Sequence, residues 1–305
     1  MSTSGSAPAD VPVWERDGRD WPNRQASRFV RAAGMVWHLQ TAGEGPAVLL
    51  LHGTGASTHS WRSLMPILAK HFTVVAPDLP GHAFTQAPPR EFLSLSGMAR
   101  ALSRLLHAIA VEPALVIGHS AGAAIAVRMS IERFVSPKAI VSINGALLPL
   151  RGMAGHMFGP LARIFAMLPV VPRVFSWHAL DRRVVARLIA DTGSKIDDAG
   201  IEYYCRLARR PGHVRSALGM MAHWNLHRLE GDLPRLDIPL VMITGTNDRT
   251  IPPGDAERVR RILPHAQIVP LKGLGHLAHE ESPELIAALV LDIARDAGVF
   301  PPAKG

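Results

Sequence analysis

The residues best placed to do chemistry are Gly118-His119-Ser120-Ala121-Gly122. At roughly 7% each for Gly and Ser, a G-x-S-x-G pentapeptide arises by chance in about one chain in ten of this length. The setting is more telling. The apolar run Ala114 to Ile117 leads in, and an Ala-rich helical pattern leads out. A strand-to-helix turn holds such a serine in strained backbone. Glycines two before and two after remove the side chains that would clash. The hydroxyl then stands at a helix N-terminus, where developing negative charge is favoured. The implied chemistry is nucleophilic attack by Ser120.

A serine nucleophile needs a base and a group that orients the base. Downstream, the apolar run 239–244 ends in Gly245-Thr246-Asn247-Asp248, and a later run precedes Gly273-Leu274-Gly275-His276. A carboxylate just past a strand lies at the catalytic edge of a parallel sheet. An imidazole in a Gly loop can reach back to Ser120. Asp248 and His276 are therefore the expected acid and base, in the order serine, acid, histidine. Asp248 capping the helix near Pro252 is the alternative use of that residue. Asp237 and Asp255 follow no strand, and His279 lies on the helix side of its loop. Two backbone N–H donors should hold an oxyanion. Ala121 follows the nucleophile, and Thr54 sits in His52-Gly53-Thr54-Gly55 after an early apolar run. His52 is expected to orient that loop.

These residues must be held by alternating strands and helices. Short, fully apolar runs at 47–51, 73–76, 115–117, 139–143, 239–244 and 267–269 suit parallel strands buried on both faces. Leu95, Met98, Leu102, Leu105, Leu106 and Ile109 form one face of a helix over Ser94 to Ala110. Further helices are expected over 123–134 and 283–297. The pattern predicts an α/β doubly wound, mostly parallel sheet. Residues 146–232 break the rhythm with Pro-punctuated helical pieces and read as an inserted helical cap. The core then comprises 26–145 and 233–300, and residues 1–25, rich in Pro, Ser and Asp, read as a flexible arm with Trp14 and Trp21 as anchors.

The 305 residues are 48% hydrophobic and 19% charged, which supports a sizeable core and argues against global disorder. The net charge is +8 without a dense basic run, so a nucleic-acid stripe is not expected. The cap carries 12 basic residues against 7 acidic ones, which predicts positive charge over the active-site mouth. The single Cys205 cannot form an internal disulfide and reads as a small buried residue, consistent with the cytoplasm. No signal peptide is visible. The stretch 161–180 is broken by Arg163, Pro169, Pro172 and Arg173, so it would lie on a surface rather than span, leaving peripheral contact with the inner membrane open. No metal site or cofactor is expected. His156, His178, His213, His223 and His227 read as polar cap residues, with His223 and His227 at i, i+4 on one helix face. Met153, Met157, Met167, Met220, Met221, Trp177 and Trp224 make the cap apolar, suited to its own packing or to a large planar ligand.

With these motifs the chain resembles the α/β-hydrolase superfamily. More specifically it resembles the magnesium-chelatase accessory proteins of bacteriochlorophyll biosynthesis (BchO type). The stretches that carry this are LLHGTGASTHSW (50–61), FTVVAPDLPGH (72–82), GHSAGAA (118–124), SINGALLP (142–149), PGHV (211–214) with GMM (219–221), and GLGHLAHEE (273–281). They run from about residue 22 to 290 and include the cap. Ala83 departs from the pattern, since Gly is usual there. The resemblance implies work near magnesium insertion in a photosynthetic bacterium, with magnesium chelatase subunits as candidate partners. No G-x-x-x-x-G-K-[ST] loop is present, so this is not an ATP-driven motor. The expected activities are hydrolysis of an ester or related acyl bond, non-catalytic binding of a tetrapyrrole-like ligand, or general carboxylesterase action. Asp-nucleophile chemistry is disfavoured by Ser120.

Overall fold

The computed structural model of the chain describes residues 10–149, 168 and 170–300. The first nine residues and Met153, His156, Met157, Arg163, Met167 and Pro169 of the sequence reading lie outside that range. Eight strands form one sheet: β1 Ser27–Ala32, β2 Met35–Ala42, β3 Ala47–Leu51, β4 Thr73–Pro77, β5 Leu115–His119, β6 Ala139–Ile143, β7 Leu240–Gly245 and β8 Gln267–Leu271. Their spatial order is β1-β2-β4-β3-β5-β6-β7-β8. β1 and β2 run antiparallel to their neighbours, and the rest are parallel.

Alternation along each parallel strand feeds two cores. Leu49, Leu51, Val116 and Ile140 face one layer, while Val48, Leu50, Leu115, Val141 and Ile143 face the other. The helices in chain order are α1 Trp14–Asp17, α2 Leu64–Leu68, α3 Leu95–Ala108, α4 Ala121–Ile131, α5 Val170–His178, α6 Arg182–Asp191, α7 Asp198–Ala208, α8 Pro211–His223, α9 Leu226–Asp232, α10 Gly254–Ile262, α11 Ala278–Glu281 and α12 Pro283–Asp296. Ser94 caps α3 by accepting from Gly97 N–H. α3 and α4 join the first core, and α2 and α12 the second. Among the described residues, α5–α9 lie in the insert between β6 and β7.

The insert is tied to the sheet layer by a polar cluster. Arg62 pairs with buried Glu280 and, at 2.7 Å, with Asp197 at the start of α7. Tyr204 donates to the other Glu280 oxygen at 2.7 Å. Burial, working against the Arg62 charge, raises the Glu280 carboxyl to about 7.

Two expectations need correction. The supposed flexible arm is, over residues 10–25, a packed segment. Trp21 is buried and its indole N–H donates to Thr58. Trp14 packs on Phe29, His38 and Phe84. His223 and His227 do not share a helix face, because Trp224 is extended and separates α8 from α9.

Candidate active site

Ser120 connects β5 to α4 with φ +50° and ψ −115°, a left-handed conformation that costs about 1–3 kcal/mol in a non-glycine residue. The turn is stitched in place: Ser120 N–H donates to Ile143 O at 3.0 Å, and its carbonyl accepts from Ala123 and Ala146. A Cβ on Gly118 would strike the Ala123 backbone, and one on Gly122 the Leu51 carbonyl. Gly53 has no room either, because His119 and the Ser120 Cβ press against it. Sterics thus explain the glycines that the sequence pattern required.

Asp248 follows β7, and His276 follows β8, so both stand at the same sheet edge as Ser120. His276 Nδ1 lies 2.8 Å from Asp248 Oδ2. Asp248 Oδ1 accepts from Thr250 and Ile251 N–H at 2.7 and 2.9 Å. A carboxylate at Nδ1 favours the tautomer that leaves the Nε2 lone pair free. Ser120 and His276 line one cavity of about 370 Å³. No hydrogen bond joins them among the described residues, which is common where catalytic contacts tighten only around substrate.

The base loop is clamped by residues that sequence reading gave no such role. His276 O accepts from Asn144 Nδ2 at 2.8 Å and from His119 Nε2 at 2.9 Å. Asn144 also accepts from Gly245 N–H, so one side chain joins the ends of β6 and β7 to the histidine loop. Ser194 of the insert accepts from Leu277 N–H at 2.7 Å. An Asn-Gly pair after a strand was the only local signal for Asn144. His279, the rival base, is wholly buried between Trp61 and His119, with no hydrogen-bond partner for either ring nitrogen. Burial, with repulsion from His276, lowers it to about 3. Asp255 pairs with Arg258, and Asp237 lies out at the surface beside Arg133.

Thr54 lines the cavity, and its N–H makes no hydrogen bond among the described residues. Ala121 is the first residue of α4, so its N–H has no partner within the helix. Their loop is held on both sides. His52 accepts from Leu79 N–H and donates to Gly53 O, both at 2.8 Å. His213, at the start of α8, accepts from Ala83 N–H and donates to Gly55 O, both at 3.0 Å. Ala83 sits at φ +42°, where a glycine would be unstrained. Burial lowers His213 to about 4, so it stays neutral and can do both. His213→Ala would strand the buried Ala83 N–H and the half-buried Gly55 carbonyl. Urea unfolding should show a loss of about 2–4 kcal/mol.

The cavity is mostly apolar. Among the described residues, none of its lining side chains is Arg or Lys, contrary to the expected positive mouth. Several insert arginines instead hold the N-terminal segment. Arg206 pairs with Asp20 at 2.6 Å, Arg210 with Asp17 at 2.7 Å, and Arg215 with Asp10 at 3.1 Å. Cys205 is fully buried.

Comparison with known proteins agrees with this fold. A model of the alpha/beta hydrolase family matches residues 48–289. The chain is 39% identical, over 90% of its length and 96% of the relative's, to a Rhodobacter capsulatus protein named "Magnesium-chelatase 30 kDa subunit". It is 26% identical, over 88% of its length and 96% of the relative's, to a Pseudomonas putida 2-hydroxy-6-oxo-2,4-heptadienoate hydrolase. Among solved structures, an alpha/beta hydrolase fold protein from Burkholderia ambifaria superposes with a TM-score of 0.71 at 24% identity, covering 88% of this chain and 97% of that one.

Proposed function

The chain belongs to the alpha/beta hydrolase family, and from that premise we propose that it is a serine hydrolase cleaving an uncharged ester or related acyl bond. The observation that carries this reading is that strained Ser120 and Asp248-bound His276 open on one apolar cavity. Ser120 Oγ attacks the acyl carbon while His276 Nε2 takes its proton. Asp248 stabilises the resulting imidazolium. The Thr54 and Ala121 N–H groups hold the oxyanion, aided by the N-terminus of α4. The tetrahedral species collapses to an acyl-serine, and His276 returns the proton to the departing alcohol. Water, deprotonated by His276, then releases the acid and regenerates Ser120.

The likeness to the Rhodobacter capsulatus protein supports placing this activity in bacteriochlorophyll biosynthesis, at or near the magnesium chelatase step, in association with chelatase subunits. A purely tetrapyrrole-holding role is less well supported, because no described Arg or Lys lines the cavity to meet propionates. A fluorophosphonate probe should label the wild type and not Ser120→Ala. An unlabelled wild type would overturn the enzyme reading. Pull-down of purified chelatase subunits by Ser120→Ala tests the association separately from catalysis.

A further inference from the structure

We infer that the outward face of α5, with the start of α6, is a docking surface for an anionic lipid bilayer, and that the cavity takes an apolar acyl substrate from that bilayer. The second half rests on the serine-hydrolase reading; the first does not.

In α5 the buried residues Pro172 and Ser176 turn one side inward, towards the insert. The opposite side carries Val170, Val174 and Trp177 at i, i+4 and i+7, which are 57%, 47% and 68% exposed. This is an apolar stripe of helical period facing solvent, the reverse of what packing against a core produces. Leu180 continues it at 60% exposure. A tryptophan held out on a short amphipathic helix suits the interfacial zone of a bilayer.

The unpaired charge around the stripe is mainly positive. Arg173, Arg183 and Arg187 are exposed and join no ion pair among the described residues. Their neighbour Arg182 is instead paired with Asp198. α5 itself contains no acidic residue. Asp181 is turned to its own backbone, accepting from Arg183 N–H as the cap of α6. Free guanidinium groups beside an apolar stripe complement anionic headgroups over acyl chains.

The stripe also borders the cavity. Phe175 and Leu188 are both exposed and both line it. A protein docked on this face would close that entrance. A bilayer would instead present acyl chains to it.

The full chain should be sedimented with phosphatidylcholine vesicles with and without phosphatidylglycerol. We expect co-sedimentation only with the anionic vesicles, weakened by added salt. Val174→Ser with Trp177→Ser should stay in the supernatant. Replacing Arg173, Arg183 and Arg187 by Gln should reduce partitioning by on the order of 100-fold at low salt. Both variants should keep wild-type turnover of a short soluble ester, showing an intact fold, and lose turnover of a long-chain ester embedded in anionic vesicles. Ser120→Ala should bind vesicles like the wild type, so failure of the catalytic reading leaves the docking result standing. Wild type remaining in the supernatant, or variants binding as well as the wild type, would overturn the proposal. So would a wild type that ignores vesicles but captures purified chelatase subunits that Trp177→Ser does not, which would make this face a protein interface.

Discussion

Ser120→Ala is expected to lower kcat/KM for a p-nitrophenyl ester by about 10⁴- to 10⁶-fold while leaving the unfolding free energy unchanged within about 0.5 kcal/mol. The activity loss follows from removing the atom that attacks. What survives is oxyanion stabilisation and binding, which still exceed the reaction in water. The unchanged stability follows from the backbone. Alanine keeps a Cβ at φ +50°, so the strain of the turn remains. The Ser120 hydroxyl makes no hydrogen bond among the described residues, so its removal leaves no buried group stranded. Asp248→Asn should fall by a similar order, about 10⁴-fold, because an amide can hold the imidazole in the wrong tautomer. Retention of more than about one per cent of wild-type turnover by purified Ser120→Ala would sink the assignment of Ser120 as nucleophile.

The parts of the fold that were legible in the sequence are those whose signal is local. β3 to β7 are short apolar runs because both faces of a parallel sheet are covered, and no partner need be known to see it; β8, the edge strand, leaves Gln267 and Pro270 exposed and is legible only from Ile268 and Val269. β1 and β2 were not foreseen. β2 buries His38 and Gln40 completely, which breaks the apolar pattern of a buried strand. Those polar groups are tolerated only because His38 meets Asp78 at 2.7 Å and Gln40 donates to Pro22 O, contacts made across 40 and 18 residues of chain. β1 is an edge strand with Arg28 and Arg31 exposed, so it too lacks an apolar run. The same division holds at the site. Ser120, Asp248 and His276 sit in motifs that announce a strand end. Asn144, His119, Ser194 and His213 act through backbone groups 83 to 158 residues away in the chain, and nothing in the local sequence encodes such a partner. Charge was misread for a related reason. The excess of arginines in the insert was legible, but not that Asp10, Asp17 and Asp20 of the N-terminal segment neutralise three of them.

Acidification from pH 7.5 to 5.5 should lower stability by on the order of a few kcal/mol, a sizeable part of the 5–15 kcal/mol of a typical domain. His59, His82, His119, His213 and His279 are fully buried, and burial lowers each, to about 4 for His213, about 3 for His279 and well below the usual value for the others. For a base lowered on folding, the unfolded chain binds the proton first. The contribution is therefore complete above the unfolded value of 6.5 and is lost as pH falls below it. At pH 5.5 His213 and His279 each cost about 1.4 kcal/mol, and His59, His82 and His119 act in the same direction. Glu280 acts in the opposite sense. Its carboxyl is raised from 4.5 to about 7, so the native state takes up that proton first and gains about 2 kcal/mol over the same interval. Asp78, lowered to about 2 although burial opposes it, because His38 and the Thr58 N–H favour its ionised form, contributes only to loss at still lower pH. Urea unfolding at the two pH values measures the difference, and a midpoint independent of pH would contradict it. His279→Leu isolates one term. The imidazole makes no hydrogen bond, so an apolar replacement strands nothing, and it should flatten the pH slope by about 1.4 kcal/mol per unit below 6.5.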